Sequence, residues 1–177
     1  MSQKIEIEPR IYVACLAAYN AGKLHGKWIE LEGKTADEVR EEIQAMLKAS
    51  PEPHAEEWAI HDYELGGVKI DESEDMDKLV ELAKHLKEHG EAFAAYVNNY
   101  GADYATLEGF EDAYQGEHDS VEDYAEQWLE DTGSLAQIPE NLRFYFDYEK
   151  YARDLELGGD IWTADSDHGT VYVFYNN

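Results

Sequence analysis

His85 and His89 in AKHLKEHG stand four residues apart, the spacing that puts two imidazoles on one helix face where they could ligate a metal. They do not form the HExxH zinc signature, and a solvated helix end accounts for them without an ion. Calcium frames fail as well. A loop counted from Asp71 has Met76 at the turn glycine and Leu82 at the final acid, and one counted from Asp154 has Gly159 in place but Gly158 where an oxygen ligand belongs. Forty carboxylates guarantee that some pair sits at catalytic separation, so paired acids carry almost no information about acid–base or glycosidase chemistry. Cys15, the single cysteine, lies in an apolar run with no partner for a disulfide or a CxxC motif, which suits a buried small hydrophobe. GxGxxG, GxxxxGK[ST] and GxSxG are all absent from the sequence. These residues propose no reaction, so a protein without catalytic residues, cofactor or metal is expected.

Charge is the stronger signal. The 177 residues hold 40 Asp and Glu against 14 Lys and Arg, a formal charge of −26, with a mean hydropathy of −0.64. Direct nucleic-acid binding is excluded as a class, because a phosphate-tracking surface needs clustered Lys and Arg, and anionic membranes repel the chain for the same reason. No apolar run approaches the roughly 18 to 20 residues that span a bilayer, and MSQKIEIEPR lacks a signal peptide's apolar centre. A soluble, cytoplasmic protein is expected. Ile, Leu, Val and Phe number 36, near the level at which charged chains stay disordered, but 13 Tyr and four Trp point to a folded protein with a thin core.

Periodicity suggests the elements that position these groups. RIYVACLA (10–17) and KWIEL (27–31) read as strands around a Gly-punctuated loop. Thr35 with Glu38 is a capping-box signature for a helix that carries Val39, Ile43, Met46 and Leu47 and stops at SPEP, after which EEWAIHDYE (56–64) alternates as a strand. From 74 to about 117 the pattern turns helical, with Gly90 as a C-terminal cap and two more short helices ending at Gly101 and Gly116. Ser120 caps VEDYAEQWLEDTG, helices follow over 139–146 and 148–157, and 161–176 closes as a hairpin. The expectation is an α+β protein of three small domains: an N-terminal α+β domain (1–70) with a short antiparallel sheet, a helical middle (71–117) and an acidic, dimerising C-terminal α+β domain (118–177).

The acids are not spread evenly. Residues 1–100 hold 21 acids and 11 bases, residues 101–177 hold 19 and 3, and no Lys or Arg occurs between Lys87 and Arg143. A basic partner is the natural inference. On the 120–132 helix the face opposite Val121, Tyr124, Ala125, Trp128 and Leu129 carries Glu122, Asp123, Glu126, Glu130 and Asp131. Glu122, Glu126 and Glu130 follow at about 6 Å intervals, and like charges at that spacing cost a few tenths of a kcal/mol per pair. A surface shaped only for solubility mixes both signs. Duplex DNA carries one charge per about 1.7 Å, so 26 charges match about 13 base pairs, or about 44 Å of duplex. Rows of carboxylates thus offer a DNA-binding cleft a likeness of the phosphate backbone. A solvated acidic surface, as in halophilic proteins or acidic chaperones for basic DNA-binding proteins, is the alternative, although 11 bases in the first hundred residues argue against halophilic adaptation.

Aromatic density peaks in NLRFYFDYEKYARDLELGGDIW (141–162), either a core helix pair or a self-association surface. Together with IYVACLAAYNAGKLHGKWIEL (11–31), EEWAIHDYE (56–64) and VEDYAEQWLEDTG (121–133), the segment YARDLELGGDIW (151–162) resembles the ArdA antirestriction proteins, over nearly the whole chain. The resemblance implies a DNA-mimic inhibitor of Type I restriction-modification enzymes, usually encoded on mobile genetic elements, and an elongated homodimer of three small domains. It implies that acidic surface occupies the enzyme's DNA groove, which makes Glu108, Glu111, Asp112, Glu117, Asp119, Glu122, Asp123, Glu126, Glu130 and Asp131 the candidate contacts. The family's antirestriction motif falls on Asp154, Leu155, Glu156, Leu157, Gly158, Gly159 and Asp160; with Tyr151, Arg153 and Trp162 these form the candidate dimer region.

Overall fold

A computed structural model describes residues 6–176, which form two compact α+β units, one running to Ala105 and one from Thr106. The boundary cuts through the segment expected to be a separate helical middle. Its long helix belongs to the first unit and its last short helix to the second.

In the first unit β1 (Arg10–Cys15) is the central strand of an antiparallel sheet, between β2 (Gly26–Glu30) and β3 (Trp58–Glu64). Its Ile11, Val13 and Cys15 are fully buried. Alternation explains this, since period two sends those three side chains to one face. The strand ends at Cys15, sooner than expected, because the chain turns into α1 (Leu16–Asn20). Helix α2 (Ala36–Lys48) starts with the expected capping box: Glu38 N donates to Thr35 Oγ1 at 3.3 Å and Thr35 N donates to Glu38 Oε2 at 2.8 Å. It buries Val39, Ile43, Met46 and Leu47. Helix α3 (Met76–Tyr100) is capped by Asp75 and broken at Gly90, whose φ of 66° and ψ of −147° only glycine adopts freely. The expected stop at Gly90 is therefore real, and helix resumes directly beyond it.

The second unit holds α4 (Leu107–Ala113), β4 (Tyr114–His118), α5 (Val121–Asp131), a 3-10 turn (Leu135–Gln137), α6 (Glu140–Arg143), α7 (Tyr148–Leu157), β5 (Ile161–Asp165) and β6 (Val171–Tyr175). The expected hairpin is present as β5 and β6, with Trp162 opposite Phe174. Their rings stack at 4.1 Å and 10°, and Phe174 is fully buried, as is its neighbour Val173. The helix expected to run to Gly116 instead stops at Ala113, and β4 adds to β6 as the third strand. Gly116, with φ of 97°, sits where the β4–β6 register shifts, so it serves an irregular strand rather than a helix cap. The helix expected over 139–146 is one turn only, and Phe144 and Tyr145 beyond it are 90% and 77% exposed, so this stretch is not a core helix pair.

Candidate functional site: an uncompensated acidic helix

Helix α5 forms because its local signals agree. Ser120 Oγ accepts from Asp123 N at 3.0 Å and donates to the Asp123 carboxylate at 2.9 Å, while Tyr124, Ala125 and Leu129 bury one stripe. Tyr124 packs with Ile161 and Val173, and Val121, Trp128 and Leu155 close the cluster; Trp128 Nε1 donates to the Tyr175 hydroxyl at 3.2 Å. With that side fixed to the sheet, the opposite side must face water. Glu122, Asp123, Glu126, Glu130 and Asp131 are all exposed.

The other predicted contacts lie in the same unit. Glu108, Glu111 and Asp112 occupy the exposed side of α4, opposite the buried Phe110 and Ala113, and Glu117 and Asp119 are exposed on and after β4. Glu117 accepts from the Thr170 hydroxyl. The structure thus brings five candidates onto one face of α5 and three onto α4.

Neutralisation separates the two units. In the first, Arg10 clamps Glu64 with two bonds of 2.8 Å, Lys27 reaches Glu42 at 2.6 Å, Lys78 reaches Asp103 at 2.8 Å, and Lys87 binds Glu6 and Glu32 at 2.7 and 3.1 Å. These contacts hold the Glu6, Glu42 and Glu64 carboxyls below the ordinary carboxylate range through hydrogen bonds from their cations. From Thr106 onward 18 acids face three bases. Of those three, Arg143 donates to Ile138 O at 3.0 Å and Arg153 approaches Glu149 at 3.6 Å. Among the described residues, none of the ten predicted contact acids forms an ion pair with Lys or Arg. The α5 row is bare charge, and its two i,i+4 pairs cost together roughly 0.4–1 kcal/mol.

Sequence reasoning missed one neighbour of this row. Tyr148, first residue of α7, has its phenol pKa raised by burial and then by Glu126 and Glu130. No local pattern reveals this, because the approach depends on α7 packing against α5.

The sequence profile of the family described as antirestriction protein (ArdA) matches residues 11–170. This chain belongs to the ArdA family. ArdA membership supports an antirestriction function, with restriction enzymes as the partner class. A search of curated proteins finds no match to the chain. No described helix is long and apolar enough to cross a membrane.

The ArdA motif residues at 154–160 fold as a helix stop. Asp160 N donates to Leu155 O at 3.0 Å and Gly159 N to Glu156 O at 3.2 Å, the paired bonds of a Schellman motif with Gly159 at φ 78°. A Cβ on Gly158 would lie 2.8 Å from Asp154 O, so both glycines have a local structural reason. Leu155 packs on the α5 cluster, the Glu156 carboxylate accepts from Thr163 Oγ1 at 2.9 Å, and Asp154, Leu157 and Asp160 face solvent. Tyr151 stacks beside Trp128 at 6.5 Å, its phenol pKa raised by burial and then by Asp160. The motif therefore lies on α7 and the turn into β5, while the acid row lies on α5.

Proposed function

We propose that this protein is a non-catalytic DNA mimic that occupies the DNA-binding groove of a Type I restriction-modification enzyme. It blocks restriction there, and modification wherever modification uses the same groove. The observation that carries this reading is the α5 row: five exposed carboxylates on one helix face, unrelieved by any Lys or Arg among the described residues, in a unit with 18 acids and three bases. The acids of α4, Glu117 and Asp119 extend the anionic surface. A groove lined with Arg and Lys to hold phosphates meets carboxylates instead, and because these are exposed, the attraction weakens with salt.

The protein acts as a homodimer. Exposed Leu142, Phe144, Tyr145 and Leu157 give the second unit an apolar, aromatic surface of the kind enriched at interface centres, and it accompanies the only three bases of that unit.

The test is competition. Purified protein should displace labelled duplex DNA from a Type I methyltransferase at low salt, progressively less as salt rises. A basic protein without a DNA cleft should bind far more weakly. Failure to displace duplex at low salt overturns the mimic, and equal binding to basic proteins of any shape assigns the protein to the acidic-chaperone class.

A further inference from the structure

The last helical turn before the Gly90 break in α3 carries a group of side chains that the antirestriction reading does not use. His85, Glu88 and His89 stand at i, i+3 and i+4, and one donor atom from each can be chosen so that all three lie within 4.8 Å of one another. Glu88 Oε2 is 4.0 Å from His85 Nδ1 and 3.9 Å from His89 Nε2. Among the described residues His85 Nδ1 is buried without a hydrogen-bond partner, although the His85 side chain is only 12% exposed. A buried ring nitrogen left without a partner is a cost that folding ordinarily avoids. It calls for an explanation beyond a solvated helix end.

The surroundings supply one. Glu81, one turn earlier, places Oε1 3.7 Å from His85 Nε2, and Glu88 Oε2 lies 4.0 Å from Nδ1 on the other side of the ring. A carboxylate behind one ring nitrogen with the other open is how metal-binding imidazoles are oriented. Phe93 packs its edge against the His85 ring at 5.5 Å and restricts its rotation. Lys87, the nearest cation by sequence on that turn, is drawn to Glu6 and Glu32 at 2.7 and 3.1 Å. Lys84, three residues after Glu81 and four before Glu88, shares their face of the helix, and a bound cation must hold Glu88 against it. Glu81 and Glu88 line a cavity of about 440 Å³ together with Lys84 and Lys87, so the carboxylate side of the group is open to solvent.

We propose that His85, Glu88 and His89 bind one divalent cation of the zinc class, with Glu81 as the positioning carboxylate behind His85. Two imidazoles and one carboxylate suit Zn²⁺, Co²⁺, Ni²⁺ or Cu²⁺ and not Mg²⁺ or Ca²⁺, which take all-oxygen sets. Ligand atoms around tetrahedral zinc lie about 2.0–2.2 Å from the ion and so nearer one another than the present 3.9 and 4.0 Å, which requires the Glu88 and His89 side chains to close on His85. The ion would tie the final turn together where Gly90 leaves helical geometry.

The experiment uses the untagged full chain, stripped with chelator and titrated calorimetrically with ZnCl₂ alone and with MgCl₂ alone. The expected result is one Zn²⁺ per chain with no Mg²⁺ isotherm, and a Zn²⁺-dependent rise in melting temperature. His89→Ala and Glu88→Gln should each weaken Zn²⁺ binding by at least about tenfold, and Glu81→Gln by about tenfold, with unchanged far-UV circular dichroism. In the Co²⁺-loaded protein the visible absorption bands of nitrogen-ligated cobalt should vanish in His89→Ala. Absence of a Zn²⁺ isotherm overturns the site. So does Zn²⁺ binding that survives His89→Ala and Glu88→Gln unchanged, since the ion is then held by scattered carboxylates. All these readouts are taken on the isolated protein, independently of any restriction enzyme.

Discussion

Replacing Glu126 and Glu130 by Gln should make the protein more stable and a poorer inhibitor at once. Both side chains are exposed on α5, and among the described residues neither has a Lys or Arg partner to lose. The change abolishes the Glu122–Glu126 and Glu126–Glu130 repulsions, about 0.2–0.5 kcal/mol each. Glu130 also lies in the last turn, where its charge opposes the negative end of the helix, and neutralising it returns about 0.3–1 kcal/mol more. Gln and Glu have nearly equal helix propensity, so the sum is about 0.7–2 kcal/mol of added stability. For a chain of this length that corresponds to a rise of roughly 1–8 °C in melting temperature. Glu122→Gln makes an instructive control, because its carboxylate in the first turn is favoured by the helix N-terminus, and its removal should leave stability level or slightly lower. Scanning fluorimetry reads the first effect. Competition against duplex DNA over a salt series reads the second, with the double variant weaker and its salt dependence shallower than wild type. A double variant that melts no higher and competes as well as wild type at every salt concentration would refute the reasoning that this row trades stability for binding.

Other outcomes follow from single features. Ser120→Ala removes the acceptor for Asp123 N and should cost about 1 kcal/mol, seen as a lower urea midpoint at unchanged slope. Tyr114, pushed up to about 12 by burial and then by Glu117, keeps its proton in the folded state after the unfolded chain has lost it near pH 10. Its contribution to stability is therefore complete below pH 10 and disappears between about 10 and about 12; melts of wild type and Tyr114→Phe across that window should differ by a pH-dependent term absent at pH 8. Phe144→Ser with Tyr145→Ser should shift the protein from dimer to monomer in light scattering at little cost to folding, since both rings are exposed.

The sequence was sufficient wherever the deciding contacts are local. The Thr35–Glu38 capping box, the Ser120 cap, the helix over 148–157 and the opposed apolar and acidic faces of α5 all depend on residues within about one or two turns, so periodicity and charge exposed them. Tertiary structure alone decided that Tyr114–His118 is a strand, because its partner β6 lies more than fifty residues ahead and no local pattern records that pairing. The same holds for the division of 71–117 between two units, for the exposure of Phe144 and Tyr145, and for the approach of Tyr148 to Glu126 and Glu130. For His85 the spacing to His89 was visible from the start, but the carboxylate behind one ring nitrogen and the burial of the other emerge only when α3 packs. Charge and helical phase are written along the chain; burial and strand pairing are set by residues distant in sequence, and only folding brings those together.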